Sequence, residues 1–167
     1  MPLVKDSHIV QDDFVTVGDD DALPESGAIL LPAARFLQDP SVIERPSPVG
    51  VIWPNNRDLD ELVPYLSGLS VVALVFPSFR DGRAYTQARL LRERHSYRGE
   101  LRATGQVLRD QFVFMLRAGF DAFDVVKQSD AEAFSSVARR YSVFYQPTAE
   151  TPITAFRRRM MAHRKSV

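Results

Sequence analysis

Cysteine is missing from all 167 residues of this sequence. Its absence excludes disulfide bonds, thiolate-held iron–sulfur clusters, zinc–cysteine sites and cysteine nucleophiles on this chain. With 45% hydrophobic and 25% charged residues, the composition is otherwise ordinary for a soluble globular protein. The length suits one domain that buries a single core.

Several familiar signals are missing as well. The first residues lack the apolar segment of a secretory signal and no apolar run reaches membrane-spanning length, so the expected location is the cytoplasm. There is no glycine-rich dinucleotide fingerprint, no P-loop and no Gly-x-Ser-x-Gly elbow. His8, His95 and His163 stand too far apart for metal-ligand spacing. We therefore expect no metal site and no nucleic-acid or membrane partner, while the cofactor stays unknown.

Charge is balanced in total but unevenly placed. The net charge is zero. Acidic side chains outnumber basic ones over residues 1–40, and residues 80–117 are rich in arginine. Arginine forks suit planar, bidentate contact with carboxylate, phosphate or sulfate. The two parts could pair with each other, the arginines could reflect codon bias, or they could form a face that binds anions or an acidic partner.

Alternating strand and helix patterns predict an α/β fold. Strands are expected over 49–53, 71–76, 100–103 and 122–126, with helices between them and after the last, and a short helix over 59–66 kinked by Pro64. Consecutive βα units predict a mainly parallel sheet, either half-barrel-like or open. Residues 8–17 read as an N-terminal edge strand. The expected organisation is one domain over 1–147 and a basic C-terminal tail over 148–167.

Charged residues follow the predicted strands and supply the candidate site. Because the loops after adjacent parallel strands lie side by side, we expect Asp81, Arg83, Arg102, Arg109 and Asp110 to converge at the carboxyl end of the sheet. One interpretation is a structural Asp–Arg network, for example Asp110 with Arg83 or Arg102, because a buried arginine needs an acidic partner. The other is an oxyanion pocket aided by helix N-termini. Its anion-binding residues would be Arg83, Arg89, Arg102 and Arg109, supported by Asp81, Asp110 and Tyr85.

Five motifs in one order resemble a bacterial family of unknown function. They are FPSFRDGRAY at 76–85, ARLLR at 88–92, GELRA at 99–103, VLRDQ at 107–111 and GFDAF at 119–123. The resemblance covers roughly 29–126. Its members are often labelled predicted oxidoreductases, and their genes often lie beside assimilatory sulfite reductase genes. Ala118 stands where many members are expected to carry cysteine.

The resemblance implies a role in sulfur assimilation. Our leading hypothesis is an accessory protein of sulfite or sulfate reduction that acts by protein contact or oxyanion handling, with sulfite reductase or another sulfur-assimilation protein as partner. The alternatives are a small oxidoreductase or other enzyme whose ligand binds at the strand carboxyl ends, and a structural partner without a ligand. We also expect a homodimer, because a half-barrel leaves sheet edges open.

Overall fold

The computed structural model describes residues 2–5 and 8–133, and these build a single eight-stranded sheet. The strands are β1 (Leu3–Lys5), β2 (His8–Val10), β3 (Phe14–Thr16), β4 (Ala28–Pro32), β5 (Val49–Trp53), β6 (Val71–Phe76), β7 (Glu100–Gly105) and β8 (Ala122–Asp124). The helices are α1 (Ala33–Gln38), α2 (Arg83–Glu93) and α3 (Phe112–Ala118), and another helical turn occupies 128–133. No helix in this part of the chain is long and apolar enough to span a bilayer.

Strand order follows chain order from β3 to β8, and each of these neighbours pairs in parallel. The prediction that β5, β6, β7 and β8 are adjacent parallel strands is therefore confirmed. β1 pairs antiparallel with β8, and β2 antiparallel with β1. The N-terminal strands β2 and β3 thus form the two edges of the sheet, as expected, and β1 lies between β2 and β8.

The two edges of the sheet are joined by a very short link. β2 and β3 lie at opposite ends of the strand order, yet only residues 11–13 separate them. Four Cα–Cα steps reach at most about 15 Å, whereas seven strand spacings in a flat sheet would span about 34 Å. The sheet must therefore curl until its edges approach each other, and this selects the half-barrel over the open arrangement.

Side-chain alternation gives the curled sheet two different faces. In β6, Val72, Leu74 and Phe76 join the main core, whereas Val71 and Ala73 join a small inner cluster. Helix α2 packs against the outer face through its buried residues Ala84, Ala88 and Leu91. On the inner face, Phe14 from β3 packs with Leu30, Val71 and Ala73. The curl thus brings an edge strand into contact with strands that lie far from it in the sheet order.

Some local predictions differ from the structure. Residues 59–66 form two 3₁₀ turns, Leu59–Glu61 and Val63–Gly68, because Pro64 cannot donate an α-helical hydrogen bond. Residues 8–17 form β2 and β3 on opposite edges rather than one strand. The strand predicted over 100–103 continues to Gly105, and the one predicted over 122–126 ends at Asp124. The boundary at 147 and the tail over 148–167 lie outside the described residues.

Candidate functional site

Arg102 lies on the inner face of β7 and is almost completely buried, with 3% of its side chain exposed. Its Nη1 and Nη2 donate to the Asp12 carboxylate at 2.6 and 3.1 Å, and its Nε donates to Glu100 Oε1 at 2.8 Å. Lys5 Nζ donates to Glu100 Oε2 at 2.9 Å. We call Lys5, Asp12, Glu100 and Arg102 the inner ion cluster. Two cations face two carboxylates, so the Arg102 fork is already occupied.

The expected acidic partners of Arg102 were wrong. We predicted a network such as Asp110 with Arg83 or Arg102, but Arg102 pairs with Asp12 and Glu100. The reason is the period of two in a strand, which places residues 100, 102 and 104 on the inner face. The predicted convergence of Asp81, Arg83, Arg102, Arg109 and Asp110 is not found among the described contacts, because Arg102 points away from the others.

Arg92 lies in α2 on the outer side of the sheet, and it is not among the predicted site residues. Only 7% of its side chain is exposed. Its guanidinium donates to the carbonyls of Tyr97, Gly99 and Gly119 and to the Asp121 carboxylate at 2.7–3.0 Å. Gly119 is required beneath it, because a Cβ there would lie 2.6 Å from Arg92 Cγ and the backbone φ is +104°. This arginine is structural.

The other predicted residues lie on or near α2. Arg83 Nη2 and Nε donate to the Asp81 carboxylate at 2.6 and 3.0 Å. Arg89 pairs with Glu93 one turn along the helix, on its exposed side. Burial raises the pKa of Tyr85, and the charge of Asp110 adds to that rise, so these two groups face each other. Among the described residues, Arg109 has no ion-pair partner.

Asp81 lies at the N-terminus of α2, one residue before the N-cap residue Gly82. Its carboxylate accepts from the Arg83 backbone N–H at 3.3 Å as well as from the Arg83 side chain. The side-chain hydrogen bond from Arg83 is the main reason that the pKa of Asp81 lies far below its usual value. A carboxylate therefore occupies a position that favours anions, at the positive end of a helix dipole.

An open pocket of about 300 Å³ lies between the loop after β5 and the start of α2. We call it the β5–α2 pocket. Its lining includes Asn55, Arg57, Leu59, Arg83, Gln87 and Leu90. Gln87 Nε2 donates to the carbonyls of Pro54 and Arg57 at 3.3 and 3.0 Å, which fixes the β5 loop against the helix. The pocket thus lies at a strand carboxyl end, where α/β folds place ligands.

Two buried amide atoms of this lining complete no hydrogen bond of ordinary geometry with the part of the chain that the structure describes. Asn55 is only 6% exposed, and its Nδ2 completes no hydrogen bond of ordinary geometry within the described residues, although Asn55 contributes to the lowered pKa of Asp81. Gln87 Oε1 likewise has no partner among the described residues. Buried polar atoms normally find partners, so such atoms beside a pocket point to a ligand or water.

Acidic groups limit the positive charge of this pocket. Arg57 donates to the Glu61 carboxylate at 2.9–3.3 Å, and Arg83 is held by Asp81. Asp58 also lines the pocket, where its carboxylate accepts from the Asp60 backbone N–H at 3.0 Å. An incoming anion must therefore compete with resident carboxylates. In the described part of the chain, no group of three or more His, Asp or Glu side chains is arranged to hold a metal ion.

Asp124 ends β8 on the inner face, where Thr104 Oγ1 donates to its carboxylate at 3.3 Å. Burial raises the pKa of Asp124 above its ordinary value of 3.8. Since the folded state favours the neutral acid, stability is lost as pH rises from that value through the folded pKa. We expect Asp124→Asn to raise the free energy of unfolding at pH 7 by less than about 1 kcal/mol, because partial exposure to solvent reduces the cost of burying the charged carboxylate.

Urea unfolding of the wild type and of Asp124→Asn between pH 3 and pH 8 measures how the difference in their free energies of unfolding depends on pH. The extra stability of Asp124→Asn should shrink as pH falls, because the Asp124 carboxyl of the wild type is then protonated in both the folded and the unfolded protein. An advantage that is constant over this range would contradict the burial of a charged carboxylate as its cause.

Comparison with known proteins gives one family. No curated protein and no solved structure matches the chain significantly. One family model matches residues 50–156, which is more than half of the chain and includes every residue of the β5–α2 pocket. Asp12 and Lys5 of the inner ion cluster precede the matched span. The chain therefore belongs to the bacterial protein family of unknown function DUF934.

Proposed function

We propose that this protein is a cytoplasmic accessory protein of assimilatory sulfite or sulfate reduction that handles a sulfur oxyanion in the β5–α2 pocket. The five motifs that resemble a bacterial family encoded beside sulfite reductase genes support the pathway. The cysteine-free sequence favours an accessory role, because multi-electron chemistry on sulfur then needs groups from a partner. Sulfite reductase or another sulfur-assimilation protein is the proposed partner.

The observation that carries the oxyanion role is the convergence of three kinds of donor on one pocket. Arg57 and Arg83 supply guanidinium forks, the pocket lies beside the N-terminal turn of α2, and Asn55 supplies a buried amide whose Nδ2 completes no hydrogen bond of ordinary geometry within the described residues. Charge-assisted bonds from arginine forks match the oxygens of sulfate and sulfite. Of the four arginines predicted to bind anions, only Arg83 lines this pocket.

Titration calorimetry with sulfite and sulfate tests the proposal. We expect Arg83→Lys to fold normally, because the Arg83 side chain is 58% exposed, and to bind either anion about tenfold more weakly, because lysine cannot form the fork. The matched control is Arg89→Lys, a change on the same helix at a residue outside the pocket lining, and its affinity should equal that of the wild type.

Asp81→Asn tests the competition within the pocket. Removing the resident carboxylate should raise oxyanion affinity roughly twofold to fivefold, the range for losing an exposed ion pair. If sulfite and sulfate bind neither the wild type nor Asp81→Asn at millimolar concentration, the oxyanion role is wrong.

A deletion strain tests the pathway. We expect growth on sulfide or cysteine but poor growth on sulfate or sulfite, with rescue by the gene for the Arg89→Lys protein and weaker rescue by the Arg83→Lys form. Equal growth of the deletion strain on all four sulfur sources would contradict the role in sulfur assimilation.

We also propose that the protein forms a homodimer. Within the described residues, the edge strands β2 and β3 each pair on one side only, and each exposes an apolar side chain, Ile9 at 42% and Val15 at 59%. Exposed apolar edge strands commonly pair with another chain. Light scattering at high micromolar concentration should give twice the chain mass, and Val15→Lys should shift it toward the monomer mass. A monomer mass for the wild type would refute the dimer.

A further inference from the structure

We infer that the β5–α2 pocket takes an organic oxyanion with a single negative charge, a sulfate monoester, in preference to a bare inorganic anion. This inference rests on the proposed oxyanion role of the same pocket and names the class of its ligand. Three features of the lining carry it, namely its size, its apolar wall and its charge.

Size is the first feature. The pocket measures about 300 Å³, the lower end of the range of about 300–1,000 Å³ found for small-molecule sites. A bare sulfite or sulfate would fill only part of it. The remaining space suits an organic group attached to the anion.

The apolar wall is the second feature. Leu59 and Leu90 line the same pocket as the two arginines. Leu90 is 37% exposed, so its side chain offers apolar surface from which a ligand could exclude water. An inorganic anion gains nothing from this wall, whereas the hydrocarbon part of a monoester does.

Charge is the third feature. Arg57 and Arg83 are each paired with a carboxylate, and Asp58 is a further acid in the lining. A lining with so little net positive charge is poorly matched to a doubly charged inorganic sulfate. A sulfate monoester carries a single negative charge, and it can add apolar contact to the hydrogen bonds that Arg83 and Asn55 offer.

Calorimetry with inorganic sulfate, phenyl sulfate and phenyl phosphate tests this inference on the full chain. We expect phenyl sulfate to bind about tenfold or more tightly than inorganic sulfate. Phenyl phosphate has the same apolar group but carries close to two negative charges at pH 7, so we expect it to bind more weakly than phenyl sulfate.

Leu90→Ser should remove this gain, so that phenyl sulfate and inorganic sulfate bind this variant with similar affinity. The matched control is Leu108→Ser, since Leu108 is 39% exposed and lies outside the pocket lining, and it should keep the gain. Circular dichroism confirms that both variants fold. If phenyl sulfate binds no more tightly than inorganic sulfate, or if its gain survives Leu90→Ser, the inference is overturned while the oxyanion role stands. Absence of binding by all three anions would overturn both.

Discussion

Replacing Arg102 with alanine is expected to lower the free energy of unfolding by about 3–5 kcal/mol, the cost of removing one partner from a buried ion pair. The Glu100 side chain is only 10% exposed and that of Asp12 33%. In this poorly hydrated place, Asp12 would lose both bonds to Arg102, and Glu100 would keep Lys5 but lose Arg102. Small domains have total stabilities of about 5–15 kcal/mol. The loss would therefore be a large share of the whole.

Removal of Arg102 has a second consequence, because Arg102 also binds Asp12. This residue lies in the three-residue link between the opposite edges of the sheet, so its bonds to Arg102 fasten that link to β7. Loss of Arg102 should therefore lower the free energy of unfolding and also loosen the curl of the sheet. Hydrogen exchange at the amides of β3 should accelerate more than at β6.

Urea unfolding followed by circular dichroism measures the change in stability. The control is Arg57→Ala, which breaks an exposed pair with Glu61 and should cost less than about 1 kcal/mol. A double-mutant cycle with Asp12→Ala should show coupling of about 0.5–3 kcal/mol. A loss below about 1 kcal/mol for Arg102→Ala would mean that the inner ion cluster contributes little to stability.

Replacing Arg92 with alanine is expected to lower the free energy of unfolding by at least about 3 kcal/mol. The change removes the charge partner of Asp121 and the donor for three backbone carbonyls. Each buried acceptor left without a partner costs about 1–3 kcal/mol, less where water can reach it. Arg92→Lys should recover less than half of the loss, because a single ammonium group cannot reach four acceptors in different directions.

Arg89→Ala is a matched control on the same helix. Among the residues that the structure describes, Arg89 pairs only with the exposed Glu93, at 3.4 Å. Such helix pairs contribute about 0.3–0.5 kcal/mol. Thermal and urea unfolding of Arg92→Ala, Arg92→Lys and Arg89→Ala therefore compare the contribution of the buried arginine to stability with that of the exposed one. Equal losses for Arg89→Ala and Arg92→Ala would contradict the structural role assigned to Arg92.

The parallel strands could be predicted because their signal is local. The six apolar residues of β6 and the helical spacing of Ala84, Ala88 and Leu91 are visible without any tertiary contact. The link between β2 and β3 was different. Residues 8–17 read as one strand, since nothing in their sequence shows that its two halves end at opposite edges of a curled sheet.

The candidate site was only partly predictable. Arg83 stood out because it follows a buried strand and begins a helix. Asn55 and Gln87 carried no pattern, because an amide side chain looks the same in sequence whether it is solvated or buried without a partner. Arg57 was also missed, although the turn that follows β5 could have suggested it.

The sequence by itself determined the α/β class, the four adjacent parallel strands and the absence of cysteine chemistry on this chain, because hydrophobic period and composition act over short stretches of chain. Only the tertiary structure decided which charges meet. Asp12 and Arg102 are 90 residues apart, and they pair because the sheet curls and brings one edge link over the inner face. Energy gained from burying the apolar faces sets that curl, and the polar side chains then take the partners that it places beside them.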